Sequence, residues 1–329
     1  LWITMANSWM QTPDGYELQA LPLPERAVMT DFWAVVFTPS FIPRILHVFF
    51  ASWTAGAALV ASVGAWYILR KPEHAELGKA CLSIALPAFI IFSVLNAGIF
   101  GPESARSVAE NQPTKLAAME GIWETETDAP AYIVGWVDEG SGETIGIAIP
   151  GLLSFLSGQD TVTGINDFEV PPTLSNLTFQ SYHLMVGLGM AIVPFALLAA
   201  GLWFWKRKLL EHRWALWIVV SSVFVALFVI TMGWWVAEFG RQPWIVYGLM
   251  LTAEATSPIV EAWEIAASLG GFVLIYVLLL AVFLFLLNSK IQRGPAPLEE
   301  VEARPVGELP DTLRGIFAAR GRGEERMTR

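Results

Sequence analysis

Five apolar stretches, each roughly 20 residues or longer, constrain this chain more than any motif does: Ile45 to Leu69, Ala80 to Phe100, Leu177 to Trp205, Ala215 to Phe239 and Ala262 to Asn288. A helix rises about 1.5 Å per residue, so ~20 residues cross the ~30 Å hydrocarbon layer. Only helices and closed barrels satisfy their backbone groups there. Composition agrees: 54% of residues are hydrophobic, 15% are charged and the mean hydropathy is +0.52, far from a soluble domain. The fold class implied is an all-α integral membrane protein, a polytopic transmembrane helix bundle in contact with lipid.

Basic residues orient the spans. Arg70, Lys71 and Lys79 share one short connection, Lys206, Arg207, Lys208 and Arg213 another, and Lys290 and Arg293 follow the last span, which predicts a cytoplasmic side for all three. The opposite side receives Gly240 to Glu261 and the long segment 101–176. That segment carries twelve Asp/Glu against two Lys/Arg, a balance of −10 equal to the net charge of the chain. Acidity confined to one external loop gives no support to nucleic-acid binding.

The expected organisation follows. Residues 1–100 hold a partial first span, Leu1 to Met10, and two transmembrane helices. Residues 101–176 form the external acidic loop and 177–293 supply three more spans. Residues 294–329, rich in Pro, Gly, Glu and Arg, read as a disordered cytoplasmic tail. The single cysteine, Cys81, lies within a span and reads as a small buried hydrophobe, leaving no disulfide framework or thiolate cluster.

Of four histidines, His47 and His183 belong to spans, both near the outer ends of helices that run inward. His74 and His212 fall in the basic cytoplasmic connections. An imidazole inside a membrane bundle points to a prosthetic group, and haem is the one that most often takes such a ligand. Met185 lies two residues after His183, about 200° away around a helix, so the two cannot serve one partner. On these grounds His183 ranks above Met185, because a methionine in an apolar span usually fills core. Glu238 and Arg241 end the fourth stretch amid Trp234, Trp235, Phe239 and Trp244, a poor setting for a solvated carboxylate. Arg241 is placed to pair with Glu238 or to grip a propionate.

The run Gly233-Trp234-Trp235-Val236-Ala237-Glu238, continued by Gly240-Arg241-Gln242-Pro243-Trp244, resembles the signature of subunit I of the cytochrome bd-type quinol oxidases. The likeness extends through Asn7-Ser8-Trp9-Met10-Gln11, the His47 helix ending in Gly64-Ala65-Trp66-Tyr67, and Thr114-Lys115-Leu116-Ala117-Ala118-Met119-Glu120 with Trp123-Glu124-Thr125. It covers all of the chain except the tail. The resemblance implies a bundle whose haems cluster near the external face, with an external loop that receives quinol.

Carried over by position, His47 and Met185 resemble the two axial ligands of a low-spin haem b, which reverses the ranking of His183. Glu238 resembles the ligand of one haem of a high-spin pair, haem b and haem d. Trp234 corresponds to an aromatic beside those haems, and Arg241 to a basic group near a propionate. Lys115 and Glu120 resemble the loop residues of quinol oxidation, a task that suits an ammonium able to hydrogen-bond a quinone oxygen and a carboxylate able to take a proton.

The implied activity passes electrons from quinol at the external face through haems to oxygen, giving water, in a bacterial inner membrane and with a membrane partner, subunit II. Where the family commonly carries arginine, this chain has His183, and a neutral imidazole weakens the charge acting on the low-spin haem. The loop is of the shorter kind, which leaves ubiquinol and menaquinol both open. Members of the family carry further spans before the point where this chain begins, including the histidine for the second high-spin haem. The chain therefore reads as a fragment, expected to give at most a low-spin haem signal and no quinol-dependent oxygen uptake by itself. Two other classes compete. A non-oxidase haem b electron carrier or quinone reductase would pair histidines about a dozen residues apart on two helices. A transporter using Glu238 and Arg241 would show repeat symmetry. Neither pattern is present in the sequence.

Overall fold

The computed structural model describes residues 1–19, 26–205, 207–257 and 259–295. Lys206 of the basic connection and the expected disordered end from 296 onward lie outside the described residues. The chain divides into two units, Leu1–Pro258 and Ile259–Arg329.

In the first unit, α1 (Trp2–Gln11) leads into a hairpin, β1 (Tyr16–Gln19) with β2 (Arg26–Met29), and a short α2 (Phe32–Val36). The long helix α3 (Phe41–Arg70) turns through Lys71 into α4 (Ala75–Leu95). That helix continues through a π turn at Asn96–Phe100 into α5 (Gly101–Asn111), after which α6 (Pro113–Glu120) follows at once. Two antiparallel pairs come next: β3 (Glu126–Thr127) pairs with β6 (Thr161–Val162), and β4 (Ala131–Asp138) with β5 (Glu143–Ile149), with α7 (Leu152–Ser157) between β5 and β6 in sequence. Helices α8 (Ser175–Phe204) and α9 (Arg213–Phe239) return across the bundle, and β7 (Trp244–Val246) with β8 (Met250–Leu251) closes the unit. The second unit contains α10 (Ala262–Arg293), opened by a capping box between Glu261 and Glu264 and ending on Lys290 and Arg293.

Five helical segments among the described residues are long and apolar enough to cross a membrane, the number expected. One boundary differs. The second span was expected to stop at Phe100, but its helix runs on to Asn111. Gly101 and Pro102 read as a break because proline lacks an N–H and crowds the preceding turn. The π turn just before them absorbs that defect by widening the ladder, so the long external loop begins eleven residues later than expected and carries two helices and two strand pairs.

Helix α3 packs on α4 and α9, and α8 packs on the same two, so α3 and α8 stand on the diagonal of a four-helix ring. The basic end of this ring is filled by Ala61, Ala65, Leu82, Leu86, Trp203 and Leu216, its middle by Ala55, Ala58, Phe89, Ile192 and Ala196. Small residues permit this approach: a Cβ added at Gly78 would stand 2.6 Å from the Gly64 carbonyl oxygen. Close backbone contact holds such helices together in lipid, where burial alone gives no drive. At this end the guanidinium of Arg207 lies 4.1 Å over the Trp203 ring and that of Arg70 lies 5.3 Å from the Trp217 ring, tying the cationic belt to the helix ends.

The other half is different. No residue from 42 to 53 of α3, nor from 182 to 191 of α8, is fully buried. A Cβ added at Gly98 or Gly187 would meet nothing within 4 Å. At this end the burial is carried by α4 and α9, through Ser93, Met232 and Val236, and not by these stretches of α3 and α8.

Candidate functional site

His47 lies in the outer half of α3, where no residue from 42 to 53 is fully buried. Gly101 packs beside its ring, with Nδ1 and Cε1 each 3.8 Å from where a Cβ would be. Asn96 on the π turn is the polar side chain that faces His47, yet neither its Oδ1 nor the ring Nδ1 completes a hydrogen bond of good geometry among the described residues. Met185 projects from the diagonal helix toward α9, its Sδ 3.1 Å from the position of a Cβ on Gly233. His183 is turned elsewhere. Its Nδ1 lies 2.9 Å from the Phe179 carbonyl oxygen and its Nε2 2.8 Å from that of Tyr132, and its ring stacks on Phe179 at 3.9 Å. The imidazole thus fastens α8 to strand β4, while Met185 faces the neighbouring helix.

A second group forms where α9 ends. Glu238 and Arg241 are three residues apart and pair, Arg241 Nη2 donating to Glu238 Oε2 at 2.6 Å. Trp234 stands one helical turn earlier, half-buried. The other carboxylate oxygen of Glu238 accepts from Asn7 Nδ2 at 2.7 Å. Asn7 Oδ1 accepts from Arg44 Nη1 and from Gln11 Nε2, both at 2.8 Å. Gln11 Oε1 accepts from Arg44 Nη2 at 2.8 Å and from Lys115 Nζ at 3.0 Å. Three cations, Arg44, Lys115 and Arg241, therefore converge on one carboxylate and two amides. The Nε atoms of both arginines are buried and unpaired among the described residues.

Lys115 and Glu120 were expected in the external loop. Both are buried on α6, at 4% exposure each. Burial, with Arg44 next, holds the Lys115 amine well below its usual range, against the opposing charge of Glu238. Glu120 points elsewhere: five positions on a helix turn through about 140°, and its carboxylate faces the Tyr182 hydroxyl of α8. Burial pushes Glu120 up to about 7, although the hydrogen bond from Tyr182 favours the ionised form. The structure brings Lys115 to Glu238 and Arg241, but sets Glu120 on the opposite side of α6. From Gly121, the next residue, opens a cavity of about 330 Å³ bordered by Trp123, Tyr132 and the carboxylates of Glu124, Glu126 and Glu143.

The model of the family "Cytochrome bd terminal oxidase subunit I" matches residues 1–295. The chain belongs to that family. Subunit 1 of the cytochrome bd ubiquinol oxidase of Bacillus subtilis is 33% identical to it over 89% of this chain and 64% of the relative. A putative cytochrome bd menaquinol oxidase subunit I of the same organism is 32% identical over 89% of this chain and 66% of the relative. The bd oxidase structure from Geobacillus thermodenitrificans superposes with a TM-score of 0.79 at 31% identity, covering 89% of this chain and 67% of that one. The chain spans about two thirds of the length of the relatives it matches. It is a multi-pass protein of the bacterial cell membrane.

Sequence reasoning did not single out Arg44 or Tyr182, and quoted Asn7 and Gln11 without giving them a task. Arg44 had a signal: an arginine three residues before His47, at the mouth of an apolar helix, is costly unless partnered.

Proposed function

We propose that this chain is the haem-binding subunit I of a terminal quinol oxidase, in which α6 and the surrounding external segment receive quinol and electrons pass on to oxygen. Membership of the cytochrome bd family supports the class of reaction. The observation that carries the reading is the burial of both Lys115 and Glu120 on one short helix, because a buried carboxyl brought to about 7 is matched to taking a proton near neutral pH.

The residues present fit the haems. His47 and Met185 stand on diagonal helices, within stretches of α3 and α8 that hold no fully buried residue, and the imidazole Nδ1 has no hydrogen-bond partner among the described residues. Those two would hold a low-spin haem b, and Glu238 would ligate one member of a high-spin pair of haem b and haem d. The unpaired Nε atoms of Arg44 and Arg241 suit the propionates of such groups. Haem bound in these places supplies a reversible one-electron acceptor. The chain's own residues do the rest. Lys115 offers a hydrogen bond to a quinol oxygen from the Glu238 side of α6. Glu120 takes a quinol proton on the Tyr182 side and yields it to the carboxylates that border the external cavity, with Tyr182 fixing the orientation of the carboxyl.

The oxidase would work with subunit II, and the relatives' names leave both ubiquinol and menaquinol in view. An optical spectrum of the full-length oxidase, with Glu120→Ala beside it, tests the reading. The expected result is intact haem bands with quinol oxidation depressed about a hundredfold, the scale of a lost general base. Loss of the haem bands in Glu120→Ala would make Glu120 structural. Absence of haem from the parent protein would leave the transporter reading.

A further inference from the structure

Gln11 is the most heavily engaged side chain of the site, and the reading above gives it nothing to do. It is fully buried in the last turn of α1. Its Oε1 accepts from both Arg44 and Lys115. Its Nε2 donates to Asn7 Oδ1 and to the Ala237 carbonyl oxygen, at 2.8 and 3.2 Å. Its backbone carbonyl accepts from Gln112 Nε2 at 2.8 Å, which anchors the residue just before α6. Asn7 then carries the line to Glu238.

An amide oxygen has two lone pairs and an amide nitrogen two hydrogens, so Gln11 has spent its whole capacity. No other residue type reproduces this. Glutamate keeps the acceptors but loses both donors, and leucine keeps the size but loses both. Two buried cations also converge on a neutral group, where only good hydrogen-bond geometry offsets their desolvation.

We propose that Gln11 is a positioning residue for quinol oxidation: it fixes Lys115 toward quinol and, through Asn7, holds the Glu238 carboxylate, joining the two halves of the site by one line of amides. The proposal rests on the reading of Lys115 as a quinol-facing group. It makes the two ends of the line separable, because each atom of the Gln11 amide serves one of them.

The test uses the full-length oxidase in membranes, with steady-state quinol kinetics and optical spectra. Gln11→Leu is expected to raise the quinol KM about tenfold, the scale of one lost hydrogen bond to a charged group, and to displace the high-spin haem band while leaving the low-spin band in place. Gln11→Glu retains the acceptor for Lys115 and is expected to keep KM within about twofold of the parent, yet to displace the high-spin band, since Asn7 has lost its donor. The double variant Gln11→Leu with Lys115→Met should raise KM no further than Lys115→Met alone. A normal KM in Gln11→Leu, or an equal rise in both Gln11 variants, overturns the proposal. If Gln11→Leu fails to assemble, Gln11→Glu decides: normal KM with a displaced high-spin band supports the idea, and an unmoved band refutes it. Lys115→Met separates the two levels. No change in KM there sinks the role of Lys115 itself, whereas a rise there with none in Gln11→Leu sinks only the role of Gln11.

Discussion

Glu120 shows what burial does to a single side chain. Its carboxyl is raised to about 7 because the charged form is disfavoured away from water. Only the ionised form accepts a proton, so the group is mostly spent at pH about 5.5 and mostly available at about 8.5. Quinol kcat/KM should therefore rise with pH, reach half its plateau near 7, and lose that ascending limb in Glu120→Gln; oxygen uptake measured across this range checks it. Gly233 offers a second residue-scale test. A Cβ there would stand 3.1 Å from Met185 Sδ, so Gly233→Val should push the thioether aside and shift the low-spin haem band, with helix content by circular dichroism unchanged. Much at this scale was legible in the sequence. The Glu238 and Arg241 pairing follows from a three-residue helical spacing, and the tryptophans around it marked the place. Tyr182 was not legible, because its only distinction is the carboxyl that a helix sixty residues away brings to it. The tie of His183 was not legible for the same reason: the Tyr132 carbonyl beside its Nε2 belongs to a strand no spacing rule connects to α8.

Among the elements, the contact between α3 and α4 depends on Gly64 and Gly78, whose missing side chains let backbone meet backbone. Gly78→Leu should lower the thermal midpoint in detergent by the equivalent of about 3 kcal/mol or prevent assembly. Gly56→Ala, on the same α3 but with nothing within 4 Å of the added carbon, should leave the midpoint unchanged. Size-exclusion profiles and tryptophan fluorescence on heating report both. Long elements announced themselves through apolar length, and the observed limits of α8 and α9 fall within two residues of the expected ones. The end of the second span did not, because a π turn is a response of the backbone to Pro102 that apolar pattern does not encode. The burial of α6 was hidden as well. Its sequence is an ordinary mixture of Thr, Lys, Ala, Met and Glu, and it is enclosed by what α1, α8 and the end of α9 place around it.

For the molecule as a whole, the basic connections at 71–74 and 207–212 and the acidic segment after Asn111 assign opposite faces to the bundle. A reporter active only outside the cell should work when fused after Gly140 and fail when fused after Glu73; the reverse pattern would invert the orientation and put Lys115 and Glu120 on the cytoplasmic side. The four-helix ring adds something that no single residue carries. Its alanine-lined half packs side chain on side chain, while the stretches of α3 and α8 that carry His47 and Met185 hold no fully buried residue. A ring of this kind is firm at its base and looser toward its outer end. Its amide hydrogens should therefore exchange slowly from Ala55 to Ala65 and faster from Arg44 to Trp53, as hydrogen-exchange mass spectrometry would show. A bundle built so is anchored at its cytoplasmic base and adaptable at its outer end.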